Sequence, residues 1–111
     1  MTHTGVFMTG ASTGVGADIV ARLHGAGVPV AAGVRAEADA DRWRGQGVDA
    51  VRIDVTDAAS VDAAIAELTE RFGGRLSGVV NNAGIVVAGP LELVSDERLA
   101  RQFEVNVLGL M

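Results

Sequence analysis

Residues 9–16 read Thr9-Gly10-Ala11-Ser12-Thr13-Gly14-Val15-Gly16, between a short apolar run, Val6-Phe7-Met8, and a segment in which Val15, Ile19 and Leu23 recur at helical spacing. The order is strand, tight turn, helix. Glycine suits such a turn because it lets the chain reverse sharply and lets a bound group approach the backbone N–H groups. The free N–H groups and positive dipole end of the helix then face an anion, for which the pyrophosphate of a dinucleotide is the candidate. With 15 glycines in 111 residues, the spacing alone is weak. Its place directly after a strand gives it weight.

Outward from this turn, apolar runs of strand length alternate with longer segments of helical period, which predicts βα units around a parallel sheet. The first strand covers about residues 5–9 and the first helix 14–26, stopped by Gly25-Ala26-Gly27. Val28 to Val34 is almost wholly small and apolar, as in a strand covered on both faces. Residues 36–45 form a short charged helix anchored by Trp43. A third strand, 50–53, leads into Asp54-Val55-Thr56-Asp57, and Asp57 or Ser60 can cap a third helix. That helix carries Val61, Ala64, Ile65, Leu68 and Phe72 on one stripe. Leu76 to Val80 makes a fourth strand ending in Asn81-Asn82-Ala83-Gly84. Past Gly89-Pro90, Ser95 caps a helix expected to run through Leu99, Phe103, Val107 and Leu110 to Met111. Right-handed crossovers then predict a doubly wound α/β sheet in strand order 3-2-1-4 with helices on both faces, its ligand edge at the glycine turn.

Composition narrows the function. Apolar residues make up 49% and charged ones 21%, an ordinary globular balance within the size of one domain. The formal net charge is −5 without a basic cluster, so neither nucleic acid nor a membrane is an expected partner. The absence of cysteine removes disulfides, thiol catalysis and sulfur-ligated zinc, and His3 and His24 lack neighbouring ligands, so no metal is expected. No long apolar stretch or leader pattern occurs, and a cytoplasmic location is the expectation. All nine basic residues are arginine and there is no tyrosine. A mechanism that needs Tyr or Lys cannot be run by these residues alone.

Taken together, TGASTGVG, a second strand ending at Arg35, DVTD, NNAG and FEVNVLG resemble, in order and spacing, the short-chain dehydrogenase/reductase family, in its TGxxxGxG subgroup. The resemblance spans residues 1–111 but matches only the N-terminal part of such an enzyme, which implies a partial Rossmann-type domain lacking the catalytic Ser and Tyr-x-x-x-Lys. It implies an NAD(P)-dependent oxidoreductase that transfers hydride between the nicotinamide and a small carbonyl or alcohol substrate. The full-length protein is expected to be a homodimer or homotetramer. The alternative is a non-catalytic NADP(H)-binding module or sensor. The isomerase relatives, whose turn reads GxxGxxG, do not match.

Carried over by position, the resemblance assigns Gly10, Ser12, Thr13, Gly14, Val15 and Gly16 to the cofactor turn. Gly10 and Gly14 let the backbone approach the dinucleotide and Gly16 lets helix pack on strand. The alternative role for Ser12 or Thr13 is to cap the helix. Asp54 and Val55 flank adenine, or Asp54 caps a turn. Asn82, Ala83 and Gly84 brace the sheet and line the ribose wall, with Asn81 read as structural. Asn106 is the candidate for direct catalytic participation, expected to lie inward on the face of Phe103 and Leu110. Gly33 and Val34 leave the second strand's end without an acid, and Arg35 follows, which favours NADP(H), with NAD(H) the alternative. The alternative is a solvated Arg35 at a strand end, with Glu37 pairing with it or contacting a ribose itself. Ile85-Val86-Val87 is read as packing rather than as a substrate wall.

Overall fold

Phe7 and Met8 are neighbours in sequence and face opposite ways, as successive strand residues must. That divergence sets up two layers of core, one on each face of a sheet. In a computed structural model, which describes residues 5–111, the strands are β1 (Gly5–Met8), β2 (Val30–Val34), β3 (Asp49–Arg52) and β4 (Leu76–Val80). All pairings are parallel, in the order β3-β2-β1-β4 expected from the sequence. The helices are α1 (Gly14–Gly25), α2 (Glu37–Gly45), α3 (Ala58–Arg71) and α4 (Asp96–Asn106), with 3₁₀ turns at Leu91–Leu93 and Leu108–Leu110. His3 lies outside the described residues.

Met8, Ala32, Val34 and Ala50 pack with Val20 of α1 and with Ala40 and Trp43 of α2. Phe7, Ala31, Val51 and Ile53 pack on the other face with Ala64 and Leu68 of α3 and with Phe72. The small residues of β2 are imposed by these neighbours. A Cβ on Gly33 would come within 2.8 Å of the Phe7 ring and 3.0 Å of Ile53 Cγ2. Buried on both faces, β2 reads as a continuous apolar run.

Two details depart from the sequence reading. The inward face of α1 is Gly16, Ile19, Val20 and Leu23, whereas Val15, at 69% exposure, points away from the sheet. The last helix stops at Asn106 instead of continuing to Met111. There the chain tightens into a 3₁₀ turn that seats Gly109 against Val55, where a Cβ would lie 2.6 Å from Val55 Cγ2. In the observed order β4 is an edge strand, and Val79, Val80, Phe103, Val107, Leu108 and Leu110 are exposed. Among the described residues no helix is long and apolar enough to cross a membrane, and no cluster of three His, Cys, Asp or Glu residues occurs.

Candidate functional site

The carboxyl ends of all four strands deliver the predicted residues to one edge. β1 leads into Thr9–Gly16, β2 into Arg35, β3 into Asp54 and Val55, and β4 into Asn81–Gly84. Here the sheet winds outward in both directions from β1, and that reversal opens a crevice.

The glycine turn and the turn after β4 are built as one unit around Thr9, a residue the sequence reading quoted but gave no role. Its side chain is buried, and Oγ1 accepts hydrogen bonds from the N–H groups of Asn82 and Ala83, each at 3.0 Å. Asn82 Nδ2 donates back to the Gly10 carbonyl at 3.1 Å, and Ala11 N–H donates to Gly33 O. The bracing therefore falls to Asn82. Asn81 is exposed and makes no side-chain hydrogen bond among the described residues. A hydroxyl immediately before the first glycine is the one sequence signal that could have identified the clamp.

The glycines divide their duties. Gly14 has φ +63° and a Cβ there would meet nothing, so its constraint is backbone conformation facing open space. Gly16 is the tight one: a Cβ would overlap the Gly10 carbonyl oxygen and lie 2.5 Å from Asn82 Nδ2. Gly10 packs on the Ala83 backbone, with a Cβ reaching within 2.9 Å of Ala83 Cα, rather than merely opening a path for a ligand. Thr13 occupies the N-cap of α1 without making a cap bond, whereas Asp57 and Ser95 do cap α3 and α4. The first-turn N–H groups of α1 and the Thr13 hydroxyl thus remain available to an anion.

Asp54 closes a turn with one oxygen and keeps the other. Oδ1 accepts from Thr56 N–H at 2.9 Å and Thr56 Oγ1 at 2.7 Å, and Arg101 of α4 donates to that same Thr56 hydroxyl at 3.0 Å. Oδ2 makes no hydrogen bond among the described residues. The Thr56 hydroxyl and N–H hold the Asp54 carboxyl below its usual range, with Arg101 and Arg35 adding to the effect against a smaller opposing desolvation. Since the folded value is depressed, the carboxylate's contribution to stability is present above the unfolded value, near pH ~4, and is lost as pH falls through the folded one. Asp54→Asn is accordingly expected to flatten the acid limb of a stability-versus-pH series between about pH 2 and 5. An acid limb as steep as the parent's would contradict this.

Arg35 is exposed and forms no ion pair among the described residues. Glu37 pairs instead with Arg44, at 2.6 Å, and Arg44 also bonds Asp41 and the Ala50 carbonyl. The pairing of Arg35 with Glu37 considered above is therefore absent. Thr9, Gly10, Ser12, Thr13, Arg35, Asp54, Val55, Ala83, Gly84 and Arg101 border a common cleft of about 180 Å³. A larger hollow, about 460 Å³, shares Val55 with that cleft but no residue of the glycine turn, and is lined by Thr56, Ala58, Val61, Glu104, Leu108 and Met111.

Asn106 does not itself border that cleft but lies behind its wall, against Gly84 and Ile85, which do. It is exposed rather than inward-facing, on the side of α4 that also exposes Phe103, because its amide is engaged by a neighbouring backbone and not by the core. Oδ1 accepts from Ile85 N–H and Nδ2 donates to Ile85 O, both at 2.8 Å, while Gln102 Oε1 accepts from Val87 N–H at 2.7 Å. What Asn106 does in this arrangement is hold the segment after β4.

The chain matches the family described as short chain dehydrogenase over residues 4–111. It is 36% identical to the uncharacterized oxidoreductase YbbO of Escherichia coli over 104 residues, covering 94% of this chain and 39% of that protein. The chain spans about two-fifths of the length of the curated relatives it matches. Among solved structures, 3-ketoacyl-(acyl-carrier-protein) reductase from Brucella melitensis, complexed with NADH, superposes with a TM-score of 0.89 at 34% identity. That match covers 98% of this chain and 46% of the reductase. A variant of actinorhodin polyketide ketoreductase with NADPH superposes with a TM-score of 0.84 at 31% identity, over 96% of this chain and 43% of that one.

Proposed function

The chain belongs to the short-chain dehydrogenase family, and from that membership we propose that it forms the NADP(H)-holding part of an oxidoreductase acting on a small carbonyl or alcohol substrate. The observation that carries the reading is convergence. Gly10, Ser12 and Thr13 of the glycine turn, Asp54, Val55, Ala83, Gly84 and Arg35, which has no ion pair among the described residues, border one cleft at the carboxyl edge of the sheet. Its chemistry fits a dinucleotide, with uncapped N–H groups for phosphate, a free carboxylate oxygen for an amine, and a guanidinium for a further phosphate.

When bound, the nicotinamide supplies or accepts the hydride. The chain's own residues bind and orient. The first-turn N–H groups of α1, with the Ser12 and Thr13 hydroxyls, hold the pyrophosphate, Val15 marking the outer rim of that turn. Asp54 would accept from the adenine amino group beside Val55, Ala83 and Gly84 would line the ribose, and Arg35 would meet the 2′-phosphate. Asn106 keeps Ile85 in place on the path toward the substrate side. Proton transfer is assigned to the part of the family fold that the chain does not span.

Titration of the chain with NADPH and NADH tests the reading. NADPH is expected to bind saturably and the more tightly of the two, and Arg35→Ala to weaken NADPH by roughly 10–100-fold while moving NADH less than about threefold, as loss of one charge-assisted phosphate contact predicts. Equal affinities in the parent chain would reject the role given to Arg35. The second reading is a non-catalytic NADP(H)-binding module, since these 111 residues by themselves contain neither Tyr nor Lys to run a proton transfer. NADPH consumption that scales with chain concentration in the presence of a carbonyl substrate would reject it.

A further inference from the structure

Two consecutive side chains of α2 donate to two consecutive carbonyls of the glycine turn. Trp43 Nε1–H donates to Ala11 O at 2.9 Å, in a buried setting, and Arg42 Nη2–H donates to Ser12 O at 2.6 Å. Asp39 fixes the Arg42 guanidinium from one turn earlier, at 3.0 Å to Nη1. Both carbonyls therefore point toward α2. In a trans peptide the N–H of the next residue points opposite to the carbonyl, so the N–H groups of Ser12 and Thr13 are turned away from α2. On that other side lies the cleft bordered by Ser12 and Thr13.

We propose that Arg42 and Trp43 are positioning residues for anion binding: from α2 they set the peptide orientations of the glycine turn, so that its N–H groups are aimed before a ligand arrives. This rests on the dinucleotide reading above for the identity of the ligand. Arg42 reaches the turn from the α2 side and does not border the cleft; the bonds it makes are to Ser12 O and Asp39, so its action on the anion runs through the turn's backbone. The division of labour with Arg35 follows. Arg35 sets the preference between the two dinucleotides, whereas the α2 pair sets the affinity for whatever both share, the pyrophosphate. Preorganised donors of this kind gain affinity by lowering the ordering cost of binding.

The experiment compares the parent chain with Trp43→Phe, which keeps a buried ring and deletes the donor, with Arg42→Ala, and with Arg42→Gln, which retains a donor amide. Each is titrated with NADPH, NADH and inorganic pyrophosphate, and amide hydrogen exchange of residues 12–14 is followed without ligand. Trp43→Phe and Arg42→Ala are each expected to weaken NADPH and NADH by the same factor, roughly five- to tenfold for one lost hydrogen bond. The ratio between the two dinucleotides should stay unchanged. Amide exchange at residues 12–14 should quicken by a similar factor, and Arg42→Gln should recover part of both losses. A merely structural role would leave exchange at these amides and dinucleotide affinity unmoved in variants that still melt cooperatively, and that result overturns the proposal. So does an Arg42→Ala chain that loses NADPH affinity alone, since that would make Arg42 a direct 2′-phosphate contact. If the parent chain binds no dinucleotide, the functional reading fails by itself. The exchange comparison then still decides whether the α2 pair orders the turn, with unchanged exchange overturning it.

Discussion

Gly16→Ala is expected to unfold or severely destabilise the chain and to remove dinucleotide binding with it. The new methyl would overlap the Gly10 carbonyl oxygen and lie 2.5 Å from Asn82 Nδ2. A backbone carbonyl cannot swing aside as a side-chain tip can, so either α1 moves off the end of β1 or the Asn82–Gly10 hydrogen bond breaks. Overpacking of this kind costs about 1–3 kcal/mol and the lost hydrogen bond about 1 more. The sum is a large share of the stability of a small domain, which is only about 5–15 kcal/mol. A melting temperature lowered by more than about 10 °C is the expected readout, at about 4–8 °C per kcal/mol for a domain near this size. Gly14→Ala provides the contrast. Its methyl meets nothing, and only the left-handed conformation is penalised, by about 1–2 kcal/mol. Gly14→Ala should thus melt well above Gly16→Ala. If the two melt together, the packing assigned to Gly16 is wrong.

The second large effect is expected at Thr9. Thr9→Val keeps the shape and the β-branched rotamer preference but has no lone pairs for the N–H groups of Asn82 and Ala83. Each N–H left unsatisfied near the core costs about 1–3 kcal/mol, so the pair amounts to roughly 3 kcal/mol. Thr9→Ser keeps the acceptor and loses one methyl, about 1 kcal/mol. Thermal melts of the two variants should separate clearly, with serine the milder. Equal melting temperatures would mean that the hydroxyl does not tie the two turns together. Binding should follow stability, because Thr9 fixes the Ala83 backbone that borders the cleft.

The strands, their order and three of the four helices were legible because each signal was local: apolar runs bounded by glycine, one clean stripe on α3, and the side-chain caps at Asp57 and Ser95. What the sequence obscured was longer-ranged. Val15 fits a helical apolar period but belongs to the turn side of α1, where nothing covers it. Trp43 reads as a core anchor, which it is, yet its indole N–H and the neighbouring Arg42 also serve a turn about 30 residues away. Asn106 shares a helical face with apolar residues, which pointed it inward. That face is exposed, and the amide finds the Ile85 backbone instead. In each case a periodicity told which residues share a side and could not tell what lies across from them.

The clasp between Asn106 and Ile85 also bears on how the chain comes apart. α4 buries only Val105 and is tied to the segment after β4 through the exposed amide of Asn106 and the half-buried amide of Gln102, and to the turn after β3 through Arg101 and Thr56. The central strands lie in two continuous cores. Opening free energies within one protein range from near zero to the global value, and exposed hydrogen bonds with little apolar burial sit at the low end. Residues 85–111 are accordingly expected to open at a lower free energy than the sheet, which faster amide hydrogen exchange there than in β1 and β2 would show.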